Sequence, residues 1–222
     1  LFDVPTNVIF TNIKIYQFKM KKSFTLCSAL TLLVAFIGLS FTAFRPGSIL
    51  KIDTLNSNVQ WVGYKVTGQH SGVVNIKSGS LTYNDNGFFS GGSFEIDMNT
   101  IKATDIQGEI AGKLEGHLKA DDFFGVATYP TAKFVITKVA PRGKPGEYKI
   151  TGNLTIKATT KEVKFDAVLK EIAGGKIEAT GDIKIDRTDF DIRYGSGSFF
   201  DGLGDKTIYD EFDLKVKLTA VR

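Results

Sequence analysis

YKITGNLTIKATTKEVKFDAVL, residues 148 to 169, decides the fold class. In its first half Tyr148, Ile150, Gly152, Leu154 and Ile156 alternate with Lys149, Thr151, Asn153, Thr155 and Lys157. In its second half Val163, Phe165, Ala167 and Leu169 alternate with polar residues such as Lys164 and Asp166. Successive side chains of a strand point to opposite faces, so each half has one dry and one wet face.

The same pattern runs in both directions from this stretch. Phe94, Ile96 and Met98 are separated by Glu95 and Asp97, and Phe134 and Ile136 repeat the spacing. Further on come Ile177, Ala179, Gly181, Ile183 and Ile185, then Phe212, Leu214, Val216, Leu218 and Ala220. With Val59–Val66 and Gly72–Tyr83 added, the pattern predicts about eight strands. Asn84-Asp85-Asn86-Gly87, Pro145-Gly146 and Gly174-Gly175 supply the tight connections of antiparallel neighbours. An all-β antiparallel barrel or sandwich follows. An outer-membrane barrel would need an apolar outer face girdled with aromatics, whereas here one face carries Lys157, Lys161, Glu162, Lys164 and Asp166.

One segment departs from the alternation. Between about residues 105 and 118, Ile106, Ile110, Leu114 and Leu118 recur at every fourth position, which predicts a short helix. Thr104 or Asp105 is placed to cap it. Gly108, Gly112 and Gly116 weaken it by about 1 kcal/mol each relative to Ala, and their spacing would let the helix approach another backbone closely. A lid near one barrel end is the expected role.

The bulk composition needs one adjustment. The chain has 222 residues, 42% apolar and 23% charged, with a single Cys and a formal charge of +4. Met20-Lys21-Lys22 is followed by an uncharged apolar run, Ser23–Ser40, the layout of a secretory signal peptide rather than of a retained transmembrane anchor. Residues 20–43 are therefore expected to be removed, with cleavage near residues 40 to 43, leaving residues 44–222 as the working domain in the periplasm or outside the cell. Cys27 lies too close to Met20 to follow a complete lipoprotein signal. Residues 1–19 are expected to be an upstream extension that takes no part in function. Without residues 1–43 the charge falls to +1, the Cys is lost and 12 of 18 Phe remain. That balance argues against a nucleic-acid partner, which would need a basic stripe, and against stable membrane insertion once the leader is gone.

Motifs for catalysis are missing. The domain holds His70 and His117 and no thiol, and G-x-S-x-G does not occur. Gly195-Ser196-Gly197-Ser198 and Gly202-Leu203-Gly204 lack the phosphate-loop spacing and its Lys, and are read as a mobile loop. Most carboxylates alternate with Lys as solvated cross-strand pairs. No catalytic residue, metal ligand set or cofactor is assigned. His117, at the helix end, has two readings: a favourable partner of the helix dipole or a polar group at a cavity mouth. His70, in Gly68-Gln69-His70-Ser71-Gly72, is read as structural.

Three blocks then resemble a known family. His117-Leu118-Lys119-Ala120-Asp121-Asp122-Phe123-Phe124, with Tyr129-Pro130 and Lys133-Phe134, is the first. Thr151-Gly152-Asn153-Leu154-Thr155-Ile156 with Thr160-Lys161-Glu162-Val163 is the second, and Arg187-Thr188-Asp189-Phe190 the third. In this order they resemble the YceI-like family of lipocalin-like, polyisoprenoid-binding periplasmic proteins, over roughly residues 49 to 222. Asp191 stands where the family usually has Gly.

The resemblance implies an eight-stranded antiparallel lipocalin-like barrel that binds an isoprenoid lipid, with a polyprenyl or quinone-type tail, without catalysis. The alternation leaves open whether the inward rings fill a core or line a tube; the resemblance implies the tube. Its expected lining is Trp61, Phe94, Ile96, Phe134, Ile136, Phe165, Ile183, Phe212 and Leu214, with His117, Asp121, Phe123, Phe124 and Arg187 at the mouth. A homodimer is compatible with this reading. The alternatives are an enzyme acting on a lipophilic substrate, with His117 and Asp121 or Asp122 as acid and base, and a secreted interaction module with a solid barrel.

Overall fold

The computed structural model describes residues 47–222, so the expected leader and residues 1–19 lie outside it. Nine strands form in chain order: β1 (Ile49–Ile52), β2 (Asn58–Lys65), β3 (Gly68–Tyr83), β4 (Phe89–Ala103), β5 (Thr131–Pro141), β6 (Glu147–Ile156), β7 (Thr159–Ile172), β8 (Lys176–Asp186) and β9 (Ile208–Val221). One α-helix, α1 (Gly108–Lys119), lies between β4 and β5. Every ladder is antiparallel, and the pairings β3–β4 and β2–β9 close the sheet on itself. The closed circuit has eight strand positions, because β1 and β2 share one: both pair with β3 and with β9. The expected eight-stranded barrel is what forms.

Between β1 and β2 the chain leaves the wall in a short 3-10 turn, Thr54–Asn56. Two buried hydroxyls join the break. Ser57 Oγ donates to the Asp53 carbonyl at 2.7 Å and accepts from Thr219 N–H at 2.8 Å, while Thr219 Oγ1 donates to the Asn56 carbonyl at 3.0 Å. These bonds satisfy backbone groups that the interrupted ladder would leave unpaired.

The two ends differ. At the lower end are the tight connections β3–β4, β5–β6 and β7–β8. At the upper end are α1, the segment that follows it, and the long β8–β9 connection. Helix α1 lies against β4 and buries Ala111 and Leu118, with Leu114 half-buried. Ile110, expected on the dry face, is 67% exposed. A strict every-fourth spacing advances about 40° per step around a helix of 3.6 residues per turn, so Ile110 lies about 80° from Leu118 and about 100° from Ala111, at the edge of the face that Ala111 and Leu118 bury. The N-cap is Gln107, not Thr104 or Asp105, and its side chain makes no capping bond. Gly112 and Gly116 face open space, so they do not serve a close backbone approach. Glu115 instead fastens the helix to the wall, accepting from Ala103 N–H at 3.0 Å. Asp105 accepts from Ser71 N–H at 3.1 Å and pairs with His70 Nδ1 at 2.9 Å, which gives His70 its structural role.

The glycine-rich β8–β9 connection is a loop, as expected, but its first part is anchored. Phe190, Ile192 and Ser196 are almost completely buried, and Ile208 N–H donates to the Gly195 carbonyl at 2.8 Å.

Candidate functional site

The dry faces of the strands point into the barrel, and they do not fill it evenly. Near the lower end Leu50, Leu81, Ile150, Leu218 and Ala220 are packed to almost no exposure. Towards the upper end Val163, Ile183, Phe212, Leu214 and Val216 are only half-buried although they face inward. They border an apolar chamber with a cavity volume of about 140 Å³. A second, smaller space of about 40 Å³ lies below it. The barrel is therefore not solid, which corrects the solid-core alternative.

Seven of the nine residues expected to line a tube border the upper chamber: Trp61, Phe94, Ile96, Phe134, Ile183, Phe212 and Leu214. Ile136 and Phe165 border the lower space instead, because each lies one inward position further down its strand than Phe134 and Val163, which border the upper chamber. Of the expected mouth residues, Phe123, Phe124 and Arg187 reach the upper chamber. Phe123 is brought there by the turn after α1, where Phe124 N–H donates to the Leu118 carbonyl at 3.2 Å and Gly125 N–H to that of Ala120 at 2.8 Å. Asp121 does not: it borders a separate outer cleft with Tyr129, Lys157 and Asp191. His117 lies behind the lining. Its ring packs on Tyr194 at 4.4 Å and Phe123 at 5.6 Å between centroids, and its Nε2 is buried without a hydrogen-bond partner. Among the described residues no carboxylate is bonded to it, and Asp121, named with it in the enzymatic alternative, borders the separate outer cleft.

Arg187 is an anchor more than a mouth contact. Its side chain is 3% exposed. Nε donates to the Tyr209 carbonyl at 3.1 Å, Nη1 to that of Ile192 at 2.8 Å, and Nη2 to that of Ile208 at 3.0 Å and to Asp210 Oδ1 at 3.2 Å. The fork thus ties the β8 end to the loop and to the start of β9, which shapes the rim. Burial pushes its pKa below the ordinary arginine value, opposed by the charges of Asp210 and Asp186; the guanidinium stays charged at neutral pH.

Two rim residues escaped the sequence reading. Tyr64 and Tyr209 border both the chamber and an outer cleft. Strict alternation puts Tyr64 opposite to Trp61, on the wet face. The β2–β9 ladder, however, shifts register between Gly63 and Lys65, opening the wall there. Tyr64 Oη donates to Asp213 Oδ2 at 2.6 Å, and this bond, with help from Lys184, holds the Asp213 carboxyl below its ordinary pKa. A register shift leaves no mark on hydropathy, so only the Gly beside Tyr64 hinted at it.

The sequence of residues 50–220 matches the profile of the YceI-like domain. The chain belongs to the YceI-like family. Among YceI-like relatives, Protein YceI of Escherichia coli O157:H7 is 33% identical over 184 residues, covering 72% of this chain and 88% of that protein. A UPF0312 protein of Photorhabdus laumondii is 35% identical, but the match spans 60% of its length, and one from Shewanella denitrificans is 38% identical over 38% of its length. Burkholderia cenocepacia BcnA superposes with a TM-score of 0.62 at 23% identity, covering 77% of this chain and 99% of that one. A polyisoprenoid-binding domain from Saccharophagus degradans, implicated in plant cell wall breakdown, superposes with a TM-score of 0.58 at 14% identity, covering 78% and 97%. At these identities the superpositions bear on the fold, and they agree with the closed barrel.

Proposed function

We propose that this protein binds an isoprenoid lipid, with a polyprenyl or quinone-type tail, in the barrel interior and sequesters, stores or carries it outside the cytoplasm without chemical change. The observation that carries the reading is the apolar upper chamber inside a closed barrel, with polar groups gathered at its rim. A tail that leaves water for this space gains up to about 0.8 kcal/mol per methylene before ordering costs are subtracted. Affinity then comes from the tail. Headgroup selection falls to the rim, where Tyr64 and Tyr209 border both the chamber and the outer cleft and Arg187 holds the rim in shape. The family and the Saccharophagus domain's polyisoprenoid binding support this assignment, and the leader-like segment supports export.

The test is native mass spectrometry of protein purified from its host, followed by organic extraction. A co-purifying isoprenoid is expected. Repeated absence of lipid, including after incubation with quinones, would overturn the proposal.

A further inference from the structure

Three phenylalanine rings separate the two internal spaces. Phe94 and Phe134 are directly opposed on β4 and β5, with centroids 5.4 Å apart, and Phe134 is 5.7 Å from Phe165 on β7. Phe94 and Phe134 border the upper chamber, Phe94 and Phe165 the lower. Val216, on the far wall, borders both. The rings thus form a waist across the barrel.

Glycines on the neighbouring strands fix where the rings lie. A Cβ on Gly152 of β6 would overlap the Phe134 ring, and one on Gly181 of β8 would come within 3.1 Å of Cδ2 and Cε2 of Phe165. Each ring leans across a strand that has no side chain at that point. The position of the Phe165 ring is therefore set by the wall and not by loose packing.

Below the waist the space is lined by aliphatic and aromatic residues such as Leu81, Phe89 and Ile150. It continues the upper chamber in chemistry and along the barrel axis. Its volume, about 40 against 140 Å³, is just under a third of the upper one.

Resting on the lipid-binding reading, we propose that Phe165 sets the length of tail the barrel accepts by separating a lower apolar chamber from the main site. A tail reaching Phe134 stops there, and the lower chamber holds the end of a longer tail only when the Phe165 ring is removed.

The single Trp, Trp61, borders the upper chamber, so its fluorescence reports filling. The experiment titrates the wild type, Phe165→Ala and Phe165→Leu with all-trans prenyl alcohols of graded length from farnesol upward, with circular dichroism to establish folding. In the wild type, affinity is expected to rise with length and then level off. In Phe165→Ala the plateau moves to tails longer by about a third, with Phe165→Leu between. Farnesol affinity changes less than about twofold. Since each added buried methylene is worth roughly fourfold in affinity, the first alcohols beyond the wild-type plateau gain about tenfold or more. Phe165→Leu, which keeps most of the side-chain volume, serves as the test if Phe165→Ala does not fold. An unchanged plateau in the folded variants overturns this inference and leaves lipid binding standing. Failure of the wild type to bind any of the alcohols overturns the lipid reading itself.

Discussion

The lower and upper halves of this barrel use the same strands and differ in how they are filled. Below the phenylalanine waist most of the interior is packed, and Leu50 and Ala220, which do not border the small lower space, have 0% exposure. Above it, Leu214, Phe212 and Ile183 face inward yet remain half-buried, because the space beside them is empty. Period-2 hydrophobicity is equally clear in both. The difference teaches that an inward apolar residue has two distinct uses, cohesion and containment, and that stability and binding are separated along the barrel axis.

The largest effects should come from breaking this division directly. Leu50→Ala, in the packed half and bordering neither internal space, should lower unfolding free energy by about 4 kcal/mol, whereas Leu214→Ala, beside the upper chamber, should cost about 1 kcal/mol because it loses fewer contacts. Urea denaturation measures both, and equal costs would break the comparison. Next is Arg187, which anchors the upper rim. Arg187→Leu should cost about 3 kcal/mol by leaving three carbonyls and Asp210 without their donors. Arg187→Lys should restore only a minor part, because an ammonium cannot span the fork.

A smaller effect belongs to the packed half. Burial pushes the Tyr83 hydroxyl up to about 12, with Tyr148 and Glu171 adding to it. The unfolded chain loses this proton near pH 10 and the folded chain only near pH 12. Above pH 10 the unfolded state binds fewer protons, so stability should fall by roughly 1 to 2 kcal/mol between pH 10 and 12. Tyr83→Phe should remove that decline while leaving other alkaline losses, as thermal melts across this range would show. The smallest effect sits on the upper rim, where Asp191 has φ of 60°, a left-handed conformation that Gly adopts without strain. Asp191→Gly should raise stability by about 0.5 to 1 kcal/mol, less the loss of its exposed contact with Arg193 at 3.0 Å. A lower melting temperature would show that this contact outweighs the strain.

Much of this was legible from residue order. The inward set Trp61, Phe94, Ile96, Phe134, Ile183, Phe212 and Leu214 follows from alternation alone, because a one-residue slip would turn each of them into water. The helix was legible in position but not in orientation, since a spacing-four stripe turns about 40° per step and leaves Ile110 about 100° from the buried Ala111. The mouth was least legible. Asp121 and His117 stand beside Phe123 in sequence, but the turn after α1 sends only the phenylalanines to the chamber. Tyr64 and Tyr209 reach the rim through a register shift that hydropathy does not encode.

By itself, then, the sequence determined the eight strand positions of the wall, the faces that turn inward and the family, because these depend on local alternation and short motifs that each strand states for itself, although the short β1 that shares a position with β2 was not among them. Tertiary structure alone decided how far the inside is filled. That depends on which rings from separate strands meet at one height and which glycines lie beneath them. Phe134 over Gly152 and Phe165 over Gly181 join residues that only closure of the barrel brings together, and the boundary between packed core and open chamber follows from those contacts.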